Sequence, residues 1–425
     1  MTRFWHPQSN MALTDGNEVV FVRGEGCRLW DRDGNSYLDA TAGLWYCNVG
    51  HGRTSIADAI RDQAARLAAC SCFDVYASDR TVELADRVAA MAPVDGGRVF
   101  FTSGGSESVD TAAKVSRRYW SAVGADEKKV IISRQGAYHG LNAYGTSLAG
   151  IPANREGFGE LVRETSVIPA FEPEALETEI DRLQGSAAAF IAEPVLGAGG
   201  VHPPPPGYLR EVARICRERD ILFALDEVIT GFGRLGTMFA AQRYEIRPDI
   251  LIVAKGLTSG YQPLSAVVFS ESVAEPFWRD GAAWLRHGYT FSGHATACSA
   301  GLANLDILER EGLVSRVAEL EDEFAAVIGA LAERPGISEV RTVGLLAGVQ
   351  VSEEAIERDP AFADRVVAEA REAGVITRKL AGEALHISPP FVIDGGELEC
   401  ISSTLGNAIE RVGRGALGSG VAPQR

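Results

Sequence analysis

Two short apolar segments, each followed directly by charged residues, constrain the fold of this 425-residue chain most strongly. The first is residues 221–225 (ILFAL), followed by Asp226 and Glu227, and the second is residues 250–254 (ILIVA), followed by Lys255. Continuous apolar runs of this length are typical of strands that are buried on both faces of a parallel sheet. Ligands of open α/β sheets bind at the carboxyl ends of the strands, where these charges fall. We therefore expect an α/β fold with a binding site at this edge of the sheet.

Asp226 and Lys255 together suggest one kind of cofactor chemistry. A lysine in an apolar cavity has a lowered pKa, so its neutral amine can form a Schiff base with a carbonyl group. An aspartate in the same cavity can hold a protonated pyridine nitrogen, and the two together are typical of pyridoxal phosphate (PLP) enzymes. The structural alternatives are a lysine that reaches out of a strand end and an aspartate that caps a turn.

The run before Asp226 and Glu227 also resembles the Mg²⁺-binding strand of P-loop ATPases. That class requires a phosphate loop with a Gly-Lys-Ser/Thr sequence. The sequence contains no Gly-Lys pair, so the ATPase interpretation is excluded.

Composition excludes several other classes. The net charge of −16 argues against binding to nucleic acid or to an anionic membrane. No segment approaches the roughly 20 apolar residues of a membrane span, and residues 1–10 lack the apolar core of a signal peptide. The seven cysteines form no CxxC motif, and the lone Cys70-x-Cys72 pair indicates packing rather than a metal site. We expect a cytoplasmic protein without a metal.

Strands and helices alternate from about residue 99 to residue 270, which is typical of a doubly wound parallel sheet. Beyond residue 300 the pattern changes to helices with short strands. We predict a large domain at residues 51–299 and a smaller α+β domain built from residues 1–50 and 300–425. A last helix is expected over residues 396–412, with a disordered tail from Gly413.

A glycine-rich loop offers a candidate phosphate site. The strand-like residues 99–102 (VFFT) lead into residues 103–107 (SGGSE), and a helical pattern follows over residues 108–120. Backbone amides and the helix dipole at such a loop attract phosphate. An ordinary helix cap is the alternative. The downstream Asp226 and Lys255 favour the phosphate site, because PLP also needs a phosphate anchor.

Several aromatic residues could line a pocket around this site. Tyr138 follows the strand-like residues 130–133 and could stack on a cofactor ring, and Trp45 lies among glycines. The loop at residues 70–76 carries Phe73 and Tyr76, which could form part of a pocket wall. Each of these residues could equally be a core residue.

The segments 225–234 (LDEVITGFGR) and 254–263 (AKGLTSGYQP) occur together in the order and spacing of the class III aminotransferases of PLP fold type I. The chain resembles the ω-transaminase group of that family over nearly its whole length. The resemblance implies the PLP-dependent transferase fold type I, with a large domain whose doubly wound sheet is mostly parallel and a smaller α+β domain. It also implies transfer of an amino group from an amine or ω-amino acid to a keto acid, such as pyruvate, by a ping-pong mechanism.

The resemblance assigns roles to residues of this sequence. Lys255 would hold PLP as a Schiff base, and Asp226 would pair with the pyridine nitrogen. Tyr138 and Val228 would lie on opposite faces of the ring. The other cofactor contacts that we expect are Gly105, Ser106, His139, Glu193 and Thr290. Thr290 matches a residue that contacts the cofactor phosphate of the neighbouring subunit, which implies a homodimer with shared active sites.

For the substrate, the resemblance points to Trp45 as a pocket aromatic, and we also expect Phe73 and Tyr76 to contribute. An arginine that binds the acceptor's carboxylate is expected about ten residues before Pro389, where the register falls on Lys379. We favour the adjacent Arg378, because a planar guanidinium binds a carboxylate at two points.

Two other functional classes stay open from the sequence. One is another reaction of PLP fold type I, such as that of an aminomutase, a decarboxylase or an epimerase. The other is a PLP-binding protein without catalytic activity. The sequence does not identify the amine donor or the keto acid.

Overall fold

The computed structural model describes residues 2–418 of the chain. The strands are β1 Phe21–Glu25, β2 Arg28–Asp31, β3 Ser36–Asp39, β4 Arg98–Thr102, β5 Val130–Arg134, β6 Thr165–Ile168, β7 Ala187–Ala192, β8 Leu222–Asp226, β9 Ile250–Val253, β10 Ser265–Phe269, β11 Ile337–Val343, β12 Leu346–Val351, β13 Val375–Ile376, β14 Arg378–Lys379 and β15 Ala384–Ile387.

The α-helices are α1 Met11–Thr14, α2 Ala42–Trp45, α3 Thr54–Leu67, α4 Asp79–Met91, α5 Gly105–Ala122, α6 Ala143–Leu148, α7 Pro173–Arg182, α8 Tyr208–Glu218, α9 Ala240–Arg243, α10 Glu271–Trp278, α11 Ala295–Arg310, α12 Leu313–Gly329, α13 Glu353–Arg358, α14 Phe362–Glu372 and α15 Gly395–Gly418. Short 3₁₀ helices lie at Pro152–Arg155, Lys255–Leu257, Ala330–Glu333 and Ala381–Glu383.

A seven-stranded sheet in the order β4-β10-β9-β8-β7-β5-β6 forms the centre of the molecule. Every residue of β7, β8, β9 and β10 is buried, which explains why these segments are apolar except for Asp226 at the end of β8 and Ser265 at the start of β10. The five strands from β9 to β6 in this order run parallel, whereas β10 is antiparallel to both of its neighbours. The prediction of a mostly parallel α/β sheet is confirmed.

The direction of β10 follows from the connection that precedes it. Parallel neighbours need a crossover of a dozen or more residues, usually a helix. Only residues 254–264 join β9 to β10, and they contain a single 3₁₀ turn. The chain therefore reverses, and β10 enters the sheet antiparallel between β9 and β4.

Two four-stranded sheets lie outside the central one, in the orders β1-β2-β3-β13 and β11-β12-β15-β14. β13 pairs in parallel with β3, so strands from the two ends of the chain share one sheet. The division into a large domain and a smaller domain built from both termini stays a prediction. The boundaries at residues 50 and 300 stay predictions, and α11 crosses the second of them while packing on α3 and α4.

The last helix is longer than expected. α15 continues through residues 413–418, so the prediction of disorder from Gly413 is wrong for these six residues. Disorder was expected because the segment is a chain terminus, but a helix whose earlier turns pack on α12 and α14 is already nucleated, and adding further turns to it costs little free energy. Residues 419–425 of the predicted tail lie outside the described residues. Within residues 2–418, no helix is both long enough and apolar enough to cross a bilayer.

Candidate active site

The two charged residues singled out in the sequence meet at the carboxyl edge of the central sheet. Asp226 is the last residue of β8 and lies opposite Ile252 of β9. Lys255 comes three residues after Ile252 in the chain. Both line a cavity of about 450 Å³. Lys255 has a φ of 45°, in the left-handed region that non-glycine residues rarely adopt. Such strained residues cluster at functional sites.

The amine of Lys255 is tuned by its surroundings. Burial lowers the pKa of Lys255 to about 8, an effect that Asp226 and Glu193 oppose and Arg378 reinforces. Its Nζ lies 4.9 Å from the centre of the Trp45 ring. A substantial fraction of this amine is therefore neutral near pH 7–8, as a nucleophile or a general base requires.

Asp226 is buried and held at both oxygens. Its Oδ1 accepts a hydrogen bond from the Val228 amide at 3.1 Å, and its Oδ2 lies 2.7 Å from Nδ1 of His139. The other ring nitrogen of His139, Nε2, is buried and has no hydrogen-bond partner among the described residues. The carboxylate is thus fixed in orientation at the cavity wall.

Glu193, which directly follows β7, supports the loop that carries Tyr138. Its Oε1 accepts a hydrogen bond from the Tyr138 amide and its Oε2 accepts one from the Gly197 amide, both at 3.0 Å. Burial raises the pKa of Glu193, and the neighbouring Asp226 adds to this effect. Both Glu193 and Tyr138 line the cavity.

The glycine loop forms another part of the cavity wall. Residues 103–106 line it, and they lead into α5, an 18-residue helix that begins at Gly105, three residues earlier than expected. A Cβ atom at Gly105 would lie 3.1 Å from Cγ1 of Val228, so the absence of a side chain allows the glycine loop to approach Val228 closely. The helix N-terminus supplies free amides and a positive dipole for a phosphate.

These residues fit PLP. One cavity holds a lysine amine, a fixed carboxylate and a helix N-terminus, which match the aldehyde, the pyridine nitrogen and the phosphate of the cofactor. Tyr138, His139 and Val228, which are predicted to contact the cofactor, also line this cavity.

Trp45 lies beside Lys255, and Arg378 lies beside Trp45, although neither residue lines the cavity itself. Trp45 is 4% exposed and has a φ of 62°. The guanidinium of Arg378 stands 4.9 Å from the centre of its ring, and the His386 ring lies 4.3 Å away. Burial lowers the pKa of Arg378, and Tyr138 opposes this shift.

The side chains of Arg378 and Lys379 have different surroundings. Nζ of Lys379 forms ion pairs with Asp364 at 2.7 Å and Glu383 at 3.1 Å. Successive side chains of a strand point to opposite faces, so Arg378 can face Trp45 while Lys379 points away to these carboxylates. This placement favours Arg378 as the carboxylate-binding residue.

Five predicted residues do not line the cavity of their own chain, namely Trp45, Phe73, Tyr76, Thr290 and Arg378. Phe73 and Tyr76 are 51% and 66% exposed, and Thr290 is also exposed. None of them lines the cavity. The loop of Phe73 lies against the segment that carries Thr290, since Cys72 Sγ is 3.7 Å from the Gly293 carbonyl oxygen.

Sequence reasoning missed several residues of the site. Tyr46, Ile229, Thr258 and Gln262 line the cavity, although all lie within or beside the segments already singled out. Arg234, the last residue of the aspartate segment, is fully buried and donates hydrogen bonds to Asn48 Oδ1 at 2.9 Å and to the Pro389 carbonyl oxygen at 2.6 Å. It therefore ties the site to the segment before α3 and to the segment after β15.

Comparison with known proteins agrees with this geometry. The class-III aminotransferase family model matches residues 11–409. A probable aminotransferase of Mycobacterium tuberculosis is 37% identical, with 93% of this chain and 90% of that protein covered. A putrescine–pyruvate aminotransferase of Pseudomonas aeruginosa is 36% identical, with 91% and 89% covered. The crystal structure of an (S)-enantioselective ω-transaminase from Thermomicrobium roseum matches with a TM-score of 0.92 at 39% identity, over 96% of each chain.

Proposed function

The chain belongs to the class III aminotransferases, which are PLP enzymes, and from that premise we propose that it moves an amino group from an amine or ω-amino acid to pyruvate by a ping-pong mechanism. The observation that carries the proposal is the single cavity that joins Lys255, Asp226 and the N-terminus of α5. A cytoplasmic location stays a prediction from the sequence.

When bound, PLP supplies an electron sink for negative charge that develops on the donor carbon. Asp226 would hold a proton on the ring nitrogen, because its carboxylate, fixed by Val228 and His139, would stabilise positive charge there. His139 positions Asp226 through its Nδ1. Tyr138 and Val228 would hold the two faces of the ring, and Gly105 and Ser106 would hold the phosphate end. Glu193 fixes the Tyr138 loop by accepting the Tyr138 amide, and it is itself held by the Gly197 amide.

Lys255 moves the proton on which the reaction depends. With PLP bound, its neutral Nζ would be placed to act as the base that moves a proton away from the donor carbon. The pKa of about 8 suits both halves of this transfer, since a base and its conjugate acid must both be populated near the working pH. Burial of the amine beside Trp45 also excludes competing water.

A donor panel with pyruvate tests the proposed function. β-Alanine, taurine, putrescine, 4-aminobutyrate and 1-phenylethylamine are each supplied with pyruvate, and alanine formation is measured. We expect alanine from at least one donor in amounts equal to the carbonyl product. Formation of a decarboxylated or rearranged product without alanine would favour one of the other PLP reactions instead.

Arg378 is expected to bind the acceptor's carboxylate. Replacing Arg378 with glutamine removes a charged two-point contact, so KM for pyruvate should rise about 10- to 100-fold while kcat with a saturating amine donor falls less. Steady-state kinetics with varied pyruvate measures the change. Lys379→Gln is the matched control, because its ion pairs point to Asp364 and Glu383, and it should leave KM nearly unchanged. The reverse ranking of the two variants would move the role to Lys379.

We further infer that the protein acts as a homodimer in which Thr290 contacts the cofactor phosphate of the other subunit. Thr290 is exposed and lies outside its own chain's cavity. Phe291 beside it is 61% exposed, and Phe73 and Tyr76 expose large apolar areas nearby. Exposed apolar clusters of this kind are typical of interaction surfaces.

Thr290→Ala tests this arrangement. The variant should stay dimeric in sedimentation but release PLP about tenfold faster during dialysis, because one hydrogen bond to a charged phosphate is lost. Thr178→Ala on α7, where the hydroxyl donates only to the Glu174 carbonyl oxygen, is the control and should retain the cofactor. A monomeric holoenzyme would contradict the proposal.

A further inference from the structure

A second cavity of about 640 Å³ lies on the surface, beside the middle and end of α5. Its lining includes Lys114, Arg117 and Arg118 of the helix, Lys129 just before β5, and Trp284 and Arg286 of the segment between α10 and α11. Five of these six residues carry a positive charge. We refer to this surface as the α5 groove.

The cations of the α5 groove are poorly neutralised by the protein itself. Among residues 2–418, Lys114, Arg118, Lys129 and Arg286 have no carboxylate partner within ion-pair distance, whereas Arg117 stands 3.8 Å from Glu164. Lys114 and Arg118 contact only neutral groups, His287 at 2.9 Å and Ser121 at 3.2 Å. Arg286 lies over the ring of Trp284 at 3.8 Å. Asp126 is the one carboxylate that lines the groove within the described chain.

This clustering is unusual for a protein with a net charge of −16. Another arginine-rich surface shows the contrast, because there Arg210 pairs with Glu245 at 2.7 Å and Arg214 pairs with Glu211 at 2.6 Å. Like charges held together without partners repel one another and concentrate a positive potential in a concave surface. A multiply charged anion would relieve the repulsion at several points at once.

The framework of the groove is rigid and does not compete for the anion. Nε2 of His287 lies 2.8 Å from Thr111 Oγ1, and its ring stacks on Phe100 with the centroids 5.4 Å apart. Burial lowers the pKa of His287 to about 4, and the charge of Lys114 adds to this shift. The ring is therefore neutral near pH 7, and its Nδ1 accepts a hydrogen bond from the Lys114 ammonium group. Arg117 donates a hydrogen bond to the Tyr144 hydroxyl at 2.6 Å, which fixes its guanidinium.

We propose that the α5 groove binds a small anion with several phosphate groups, separate from the cofactor site. Guanidinium and ammonium groups spaced along one helix face suit adjacent phosphates, which arginine binds at two points. This chemistry is shared by free polyphosphate and by a nucleoside triphosphate. Trp284 is 70% exposed at the rim and offers a ring on which a base could stack.

The groove is distinct from the active site, although both use α5. Ser106 in the first turn lines the cofactor cavity, and Arg118 lies twelve residues further along the helix. At 1.5 Å per residue the two positions are about 18 Å apart along the axis. An anion in the groove therefore cannot be the cofactor phosphate.

Calorimetric titration of the holoenzyme tests the proposal. The protein is first freed of excess PLP by gel filtration and is then titrated with tripolyphosphate and, separately, with ATP. We expect saturable binding of one anion per chain and quenching of tryptophan fluorescence. The double variant Lys114→Gln/Arg118→Gln should bind at least about tenfold more weakly, because two charged contacts are lost. Its transamination rate should be unchanged, which also verifies its fold.

The matched control is Arg210→Gln/Arg214→Gln, which removes the same charge from the carboxylate-paired surface and should bind like the unaltered protein. If the first variant fails to fold, Lys129→Gln/Arg286→Gln serves in its place with the same expectation. Tighter binding of ATP than of tripolyphosphate would identify a nucleotide, whereas equal affinities would identify the polyphosphate group alone. Absence of saturable binding, or an equal loss in the control, would overturn the proposal.

Discussion

Replacing Lys255 with alanine is expected to lower kcat for transamination by about 10⁴-fold or more, since one side chain supplies both the covalent anchor and the general base. The burial that lowers the pKa of this amine to about 8 makes it reactive near neutral pH, and no other lysine lines the cavity within the described chain. The measurement is alanine formation from pyruvate with the best donor of the panel. Transamination at the full rate by the variant would disprove the assignment.

A chemical readout separates loss of chemistry from loss of folding. Borohydride reduction of the holoenzyme followed by peptide mapping should place the cofactor label on Lys255, and the variant should carry none. Lys128→Ala is the control, because Lys128 lies at the surface over the Trp120 ring and pairs with Asp220. It should keep both the label and the activity. A label on another lysine in the unaltered protein would move the catalytic role.

Asp226→Asn should reduce kcat by about 10²- to 10³-fold, because a neutral amide no longer holds positive charge on the ring nitrogen. The substitution preserves the shape of the side chain and leaves an oxygen that can still accept the Val228 amide, so the fold should persist. The loss should appear mainly in kcat, since the interaction matters most as negative charge develops in the transition state.

The control for this variant is Asp249→Asn in the same sheet. Asp249 precedes β9, at the end opposite the site, and its Oδ2 accepts the Phe223 amide at 2.8 Å. An asparagine can accept the same bond, so turnover should stay close to that of the unaltered protein. Equal losses in both variants would indicate a general effect on the sheet rather than a role at the ring nitrogen.

Much of the fold could be predicted, because segments that are buried in the folded protein consist mainly of apolar residues. Strands covered on both faces are largely apolar, and β7, β9 and all of β8 before Asp226 are, so the parallel sheet and its carboxyl edge could be predicted. The less regular parts were not. β6 was missed within a polar stretch, because its residues are only partly buried until Ile168. The extension of α15 was missed because chain termini are usually poorly ordered, whereas packing of the earlier turns decides the outcome.

The sequence by itself determined the chemistry of the central pair. A charge that directly follows a fully apolar strand has to emerge at the sheet edge, so the positions of Asp226 and Lys255 followed from local pattern and sheet geometry. Only the tertiary structure distinguishes the surroundings of Arg378 and Lys379, because one side chain of this two-residue strand lies beside Trp45 and the other pairs with Asp364 and Glu383. Contacts between residues far apart in the chain have no local sequence signal, and side-chain direction there is set by packing alone.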